Sequence, residues 1–463
     1  MLKHLIPLFA VIALSACGPQ ECRLDDPKSC PSDLTCEQVQ GKEKPQCFAP
    51  VTLGGKVFDI GTETGIEGAL VLATDENGAP AGSAVTTAAD GTYTLRVPSV
   101  RTDDKGTFVS RKVLLRSQAK NYVPFPSGSR ISLPIDTAAA TRTEEGKPYE
   151  LKSLQTDIAL SPVESSAQNL PSVSGKVEIS ADQKAVLLVL ESGNGPGRTA
   201  LAGADGAFTF FNVPAGTWKL SAYTRGVNYS ALDVPVAGSD VTGLEVKKST
   251  VGTASLSGSV QLVAGANNAG TSVVLVVEST FIETLGRGEV PPGLRAPEGG
   301  TAPNVTGAFT ISGIPDGKYV VLAAFENDGN VRDPDPGISG TQIQRITVAN
   351  GALSPSTSPS FKVTAAVNLV SPGRDGVEDT SATPTFTWDV HSNADGYKLL
   401  VYDSLGVQQW ELITVGKDDV TARYAGPALT PGRYYQWKVI AYRRLAPTSQ
   451  TEELRGLFRV SDQ

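Results

Sequence analysis

Three copies of one strand pattern occupy most of the chain between residues 51 and 365. Each copy opens with a Gly-x-Val tripeptide, and the three begin at Gly55, Gly175 and Gly258. A continuous apolar run follows each opening: ALVLA (69–73), AVLLVL (185–190) and SVVLVV (272–277). Short apolar runs broken by turn residues predict β-strands, and a unit that recurs three times predicts tandem domains of one fold.

Each copy continues with a turn and an aromatic strand. The segments are ADGTYTLRVP (89–98), ADGAFTFFNVPAGTW (204–218) and VTGAFTISGIPDGKY (305–319). We expect Gly91, Gly206 and Gly307 to occupy turns that need a flexible backbone. An aromatic residue precedes a second apolar residue by two positions, so both lie on one face of the strand and predict a core. The pairs are Tyr93 with Leu95, Phe208 with Phe210, and Phe309 with Ile311.

These repeated segments resemble the carboxypeptidase regulatory-like domain, a transthyretin-like β-sandwich. The resemblance covers residues 51–162, 171–249 and 250–365, and the third copy carries an insertion at 281–304. In that family the domain is named for its place beside a peptidase and does not itself cleave. The chain contains no zinc-binding peptidase segment, so the resemblance implies no enzymatic activity.

The last segment, residues 366–463, has a different pattern. Three strand-like runs are PTFTWDV (384–390), GYKLLVYD (396–403) and RYYQWKVIAY (433–442). Leu429 lies six residues before Tyr435, which resembles the tyrosine corner of a fibronectin type III domain. That resemblance implies that Trp388 is a buried core residue. The predicted fold class is therefore all-β, with three regulatory-like sandwiches and one fibronectin type III-like sandwich.

The N-terminus carries features of an export signal. Lys3 precedes an apolar run at 5–14 that is too short to span a bilayer, which needs about 20 residues. Leu14-Ser15-Ala16-Cys17 resembles the bacterial lipobox, which implies cleavage after residue 16 and acylation of Cys17. Cysteine parity favours the same residue, because five cysteines leave one unpaired and removal of Cys17 leaves four. Gly18 follows in place of the aspartate that in this family holds lipoproteins at the inner membrane, which favours the outer membrane.

A cysteine-rich segment, residues 17–50, separates this signal from the first sandwich. Cys22, Cys30, Cys36 and Cys47 lie among polar, turn-forming residues that cannot build a core. We expect two disulfides to hold the segment, and three pairings are open. A metal knuckle is the alternative, but C-x2-C spacing is absent.

Histidine content restricts catalytic chemistry. Of two histidines, His4 lies in the signal, which leaves His391 in a polar stretch where we expect a solvated loop. A zinc site with two histidines is therefore excluded from the exported chain, and we predict no catalytic residues and no enzyme. The net charge of −8 and the lack of a basic cluster argue against nucleic-acid binding.

Two weaker ligand sites follow from residue type. Asp328, Asn330, Asp333 and Asp335 offer the oxygen ligands that calcium prefers, but without the spacing of a known calcium loop. Apart from this calcium site, no cofactor is expected. Phe211 and Trp218 belong to the densest aromatic segment and are candidates for binding a glycan. The alternative, which we favour, is that the aromatic strand is core.

The sequence thus predicts a lipid-anchored envelope protein, facing the periplasm or the cell surface. Its four domains in series act as a stalk with a non-catalytic scaffold, adhesion or presentation role. The partners are the membrane, through the lipid, and glycans or envelope proteins. A carbohydrate-binding surface lipoprotein and an undetected hydrolase are the alternatives.

Overall fold

The structure is a computed structural model that describes residues 20–462 with short gaps. The gaps are 24–28, 32–33, 76–77, 79, 98, 103–106, 110, 129, 142–143, 145–146, 181–182, 184, 194, 204, 263–270, 284–287, 298–304, 326–342, 357, 364, 393 and 453–454. The described chain is built almost entirely of β-strands, as predicted. Three one-turn 3-10 helices lie at Thr137–Ala139, Ser165–Ala167 and Glu278–Thr280. Among these residues, no helix is both long and apolar enough to cross a membrane.

A short hairpin precedes a sandwich of two sheets. The hairpin strands are β1 (Thr35–Val39) and β2 (Gln46–Phe48). The sandwich strands are β3 (Val51–Asp59), β4 (Leu70–Asp75), β5 (Val85–Thr86), β6 (Thr92–Val97), β7 (Val100–Arg101), β8 (Phe108–Val109), β9 (Lys112–Gln118), β10 (Ile135–Asp136), β11 (Tyr149–Lys152) and β12 (Ile158–Leu160). One sheet has the order β11-β3-β12 with β6 on β3, and the other has the order β10-β9-β4-β5. The remaining pair, β7 and β8, continues the hairpin sheet.

The second sandwich has sheets of three and four strands. Its strands are β13 (Val173–Val177), β14 (Val186–Glu191), β15 (Arg198–Ala202), β16 (Ala207–Phe210), β17 (Gly216–Tyr223), β18 (Leu232–Val236) and β19 (Val241–Val246). The sheet orders are β16-β13-β19 and β15-β14-β17-β18.

The third sandwich repeats this arrangement with added strands. Its strands are β20 (Ala254–Leu262), β21 (Thr271–Val277), β22 (Arg295–Ala296), β23 (Ala308–Ile314), β24 (Gly317–Phe325), β25 (Gln344–Ala349), β26 (Ala352–Ser354) and β27 (Ser360–Val363). The sheet orders are β23-β20-β27 and β22-β21-β24-β25-β26.

The fourth sandwich has a larger second sheet. Its strands are β28 (Leu369–Ser371), β29 (Glu378–Thr380), β30 (Thr385–Trp388), β31 (Gly396–Asp403), β32 (Gln408–Ile413), β33 (Thr421–Arg423), β34 (Tyr434–Arg443), β35 (Ala446–Gln450) and β36 (Leu457–Val460). The sheet orders are β28-β30-β33 and β29-β36-β34-β31-β32, with β35 also on β34. Trp388 is buried, and the Thr430 backbone N–H donates to Tyr435 Oη at 2.9 Å. The hydrogen bond is that of the predicted tyrosine corner, and Trp388 is the predicted core residue.

The Gly-x-Val tripeptide opens the same strand arrangement three times. In each copy the opening strand pairs antiparallel with the aromatic strand and parallel with the last strand. A Cβ at Gly55 would overlap the Thr156 carbonyl oxygen, and one at Gly175 would overlap that of Leu244. Gly258 lies equally close to the backbone at Pro359. Glycine is required because neighbouring backbone approaches too closely for any side chain.

The predicted core faces are correct, but one predicted turn is not. All six residues of the aromatic strands, from Tyr93 to Ile311, are buried. Gly91 and Gly206 have φ values of 82° and 69°, which glycine adopts most easily. The prediction for Gly307 was wrong: its φ lies outside the left-handed region, and a Cβ there would meet nothing within 4 Å.

Two strands without alternation, β14 and β31, join the sandwiches. On β14, Leu188 faces its own core, while Leu187 and Val189 belong to the core of the third sandwich. On β31, Leu400 and Tyr402 turn away from their own core and pack against Ile131 and Leu133 of the first sandwich. Continuous apolar runs arise because both faces of these strands are buried.

The first sandwich therefore contacts the fourth, which contradicts the predicted stalk. The Arg130 guanidinium donates to the Leu405 carbonyl at 2.8 Å, across this interface. Arg116 pairs with Glu289 of the third sandwich, with Nη1 and Oε2 3.0 Å apart. Outer sheet faces that a stalk would expose to water are apolar here, so their burial favours lateral packing.

Candidate functional site

The hairpin segment, residues 20–48, is called the disulfide module here. Its bonds join Cys22 to Cys36 and Cys30 to Cys47, which confirms two disulfides and selects one of the three possible pairings. Cys36 and Cys47 lie opposite each other in the β1–β2 hairpin. Each bond closes a loop of about 15 residues, which stabilises the folded segment by about 3 kcal/mol.

The sulfur atoms of Cys22, Cys30 and Cys47 lie within 4.8 Å of one another. Cys30 and Cys47 are bonded to each other, and the Cys22–Cys36 bond lies beside them. A thiolate is the sulfur ligand of metal ions, and a sulfur in a disulfide is not one. The alternative of a metal knuckle is therefore excluded for the oxidised module.

A buried ion pair fixes the module to the first sandwich. Glu37 of β1 and Arg101 of β7 are both fully buried, with Glu37 Oε2 and Arg101 Nε 2.5 Å apart. Ser99 Oγ also donates to Glu37 Oε2 at 2.8 Å. The two strands pair in parallel, with Gln38 opposite Val100. The module thus forms one sheet with β7 and β8 and is not a free appendage.

Three aromatic rings surround the Arg101 guanidinium. Its central carbon lies 4.0 Å from the ring centre of Phe108, 4.9 Å from Phe48 and 5.3 Å from Tyr149. Burial raises the pKa of Glu37 above 4.5, although the Arg101 charge opposes this shift. Sequence reasoning missed the pair because its members are 64 residues apart and neither belongs to a motif.

Cys17 lies outside the described residues. It precedes Cys22, the first bonded cysteine, by five positions. Five residues reach at most about 18 Å when fully extended. An anchor at Cys17 would therefore hold the module, and with it the first sandwich, close to the anchoring surface.

A cleft of about 270 Å³ lies between the first and second sandwiches. Leu70, Leu72 and Phe125 line one wall, and Thr199 and Leu201 line the other. Ligand pockets usually enclose about 300–1,000 Å³, so this cleft is small. Arg116, the arginine in its lining, already pairs with Glu289.

Trp218 is a core residue of the second sandwich, as the favoured interpretation predicted. It is 7% exposed, and its indole N–H donates to the Pro214 carbonyl at 2.9 Å. The Arg198 guanidinium covers the ring at 5.8 Å. A ring covered in this way does not present a flat face to a sugar. Phe211 is half-buried, and glycan binding at this residue stays a prediction.

Two other sequence-predicted sites have different outcomes. Asp328, Asn330, Asp333 and Asp335 lie outside the described residues, so the calcium site stays a prediction. The prediction of a solvated His391 was wrong, because this residue is 5% exposed. Its Nε2–H donates to the Ala365 carbonyl at 2.8 Å, in the segment between the third and fourth sandwiches. Burial lowers the pKa of His391, which favours the neutral ring.

These features define a multidomain all-β protein in which a disulfide module precedes packed sandwiches. One family model matches residues 374–455: the N-terminal immunoglobulin domain of Rha78A-like proteins. The fourth sandwich is accordingly immunoglobulin-like. The regulatory-like assignment of the other three stays a prediction. A search of curated proteins found no match.

Several solved structures align with the chain at low similarity. The TIE protein of Bacillus anthracis is 10% identical, with 88% of this chain and 71% of that chain covered and a TM-score of 0.15. Two B repeat units of the collagen-binding protein of Staphylococcus aureus are 11% identical, with coverages of 88% and 98% and a TM-score of 0.18. A streptococcal ancillary pilin is 12% identical, with coverages of 68% and 98% and a TM-score of 0.17. Similarity at these TM-scores adds nothing to the assignment of function.

Proposed function

We propose that this chain is a lipid-anchored, non-catalytic envelope protein that holds its sandwiches as one body beside a membrane. The observation that supports this most is the attachment of the disulfide module. Cys17 is followed within five residues by a segment that two internal disulfides hold together and that the buried Glu37–Arg101 pair joins to the first sandwich. A flexible tether would not need a module fixed to the sandwich, whereas a protein held rigidly beside a membrane does.

The packing between sandwiches supports the same role. The first sandwich contacts the third through Arg116 and Glu289 and the fourth through Arg130 and Leu405. The second and third sandwiches share a core in which the rings of Tyr223 and Tyr319 lie 6.0 Å apart. A body joined in this way keeps its loops at fixed positions relative to the anchor, as a scaffold or presentation role requires. The outer membrane is the proposed location, because Gly18 follows the lipobox cysteine.

The test is detergent phase separation of the Cys17→Ser protein from whole cells. We expect the unaltered protein in the detergent phase and Cys17→Ser in the aqueous phase, because only Cys17 receives acyl chains. A matched control is Cys22→Ser with Cys36→Ser, which removes one disulfide and leaves the acylation residue. Partition of Cys17→Ser into detergent as efficiently as the unaltered protein would reject the anchor. If the anchor is supported, protease accessibility on intact cells would distinguish a surface location from a periplasmic one.

A further inference from the structure

The most exposed aliphatic side chains of the described residues converge at one end of the fourth sandwich. Single exposed aliphatic residues are ordinary, but four on three neighbouring segments at one end are not. They are Leu445 (96% exposed), Val415 (90%), Ile413 (63%) and Val390 (50%).

The hydrogen bonds of three loops bring these residues to the same end. Asp395, just before β31, accepts from the Arg444 backbone N–H at 2.9 Å. A Cβ built at the neighbouring Gly396 would lie 3.2 Å from the Cα of Val415. Tyr397 Oη accepts from the His391 N–H at 2.9 Å and donates to the Lys417 carbonyl at 3.0 Å. The start of β31 is therefore the point where all three loops meet.

Backbone strain marks the most exposed of these tips. Arg444 and Leu445 form the two-residue turn between β34 and β35, with φ values of 48° and 67°. Turns of this kind favour Asn-Gly, because a side chain is crowded in the left-handed region. A leucine kept in this conformation and fully exposed to water stabilises neither the turn nor the core. Strained residues of this kind are concentrated at functional sites.

We propose that this end of the fourth sandwich is a second membrane contact, whose aliphatic tips insert into a bilayer surface. The proposal rests on the membrane attachment proposed above. Separate convex tips do not form the contiguous face of about 800 Å² per partner that a stable protein interface requires. A bilayer needs no complementary shape and accepts each tip independently. The acyl chains on Cys17 would supply the lasting attachment, and the tips would add a second point of contact.

Charges around the tips indicate which lipid surface fits. Three basic residues lie near four acidic ones, so the end has almost no net charge. These residues are Lys417, Arg443 and Arg444, with Asp389, Asp395, Asp418 and Asp419. Lys417 and Asp418 already pair at 2.9 Å. A zwitterionic surface therefore suffices, and anionic lipid should add little to binding.

The experiment is co-sedimentation of the full chain carrying Cys17→Ser with phosphatidylcholine vesicles. All proteins in this assay lack the lipid, so its result is independent of whether Cys17 is acylated. We expect Leu445→Asn to lower vesicle binding about tenfold, since the loss of even two buried CH₂ equivalents changes a partition constant by that factor. Asparagine tolerates the left-handed turn, so this variant should fold at least as well as its parent. Leu445→Met should keep the binding.

The matched control is Ile282→Ser, which removes a 43% exposed aliphatic side chain from the third sandwich and should leave vesicle binding unchanged. Added phosphatidylglycerol should change binding less than twofold. Absence of vesicle binding by the parent protein would overturn the proposal, as would equal binding by Leu445→Asn. A self-association of the parent that Leu445→Asn abolishes without vesicles would also overturn it, by identifying a second copy of the chain as the occupant.

Discussion

Removing Arg101 is the sharpest test of how the disulfide module is attached. Arg101→Met keeps an unbranched apolar side chain among Phe48, Phe108 and Tyr149 but leaves the Glu37 carboxylate buried without its cation. Loss of one partner of a buried ion pair costs about 3–5 kcal/mol. Because 1.4 kcal/mol is a factor of ten, the module should separate from the sandwich about 10² to 4 × 10³ times more often.

Hydrogen exchange measures this opening directly. The Gln40 backbone N–H donates to the Arg101 carbonyl at 2.7 Å, so its protection reports the β1–β7 contact. We expect its protection factor in Arg101→Met to fall by about 10² to 4 × 10³. Combining Arg101→Met with Glu37→Gln removes the charge as well and should restore most of the protection.

An exposed ion pair in the same module provides the control. Lys44 and Glu21 are 69% and 60% exposed, so Lys44→Met should alter protection by no more than about fivefold. Unchanged protection in Arg101→Met would refute the reasoning, because it would mean that Glu37 is solvated and that the pair does not hold the module.

The pH dependence of this variant has a defined sign. Burial raises the pKa of Glu37 in the folded protein, so its protonation stabilises the fold below about 4.5 and this contribution is lost as the pH rises through the raised value. Arg101→Met removes the charge and hydrogen bond that lower this pKa, which therefore rises further. The difference between Arg101→Met and the unaltered protein should shrink as the pH falls from neutral, as followed by protection factors corrected for intrinsic exchange.

Two further variants, each with a comparison variant, test the sandwich cores by chemical denaturation. Gly55→Ala should prevent the first sandwich from folding, because its Cβ would overlap the Thr156 carbonyl oxygen, whereas the adjacent Gly54→Ala should fold, since its Cβ would meet Lys152 at 3.8 Å. Normal folding of Gly55→Ala would contradict the parallel pairing of β3 with β12. Trp218→Ala should destabilise the second sandwich by about 3–5 kcal/mol, with a smaller loss for the half-buried Phe211→Ala. A stability loss below about 1 kcal/mol for Trp218→Ala would show that the ring is not core.

Local patterns in the sequence were sufficient for the strands, their inward faces and the disulfide segment. Alternation places Tyr93 with Leu95 and Phe208 with Phe210, because successive side chains of a strand point to opposite faces. The spacing of Leu429 and Tyr435 predicted the corner at Thr430. The four paired cysteines follow from parity and from a segment without a core. Each of these inferences depends on residues that are neighbours in the chain.

Only the tertiary structure decided which surfaces meet. The pattern of β14 shows that Leu187 and Val189 are apolar but not that the third sandwich covers them. Glu37 and Arg101 look like ordinary surface charges in the sequence, and His391 looks like a loop residue. These residues are buried because segments distant in the sequence pack against them. The shape of those segments determines which polar groups are removed from water. The periodicity of apolar residues shows which face of a strand is buried. Which segment buries that face depends on the free energy of packing the whole chain, and a local pattern does not contain this information.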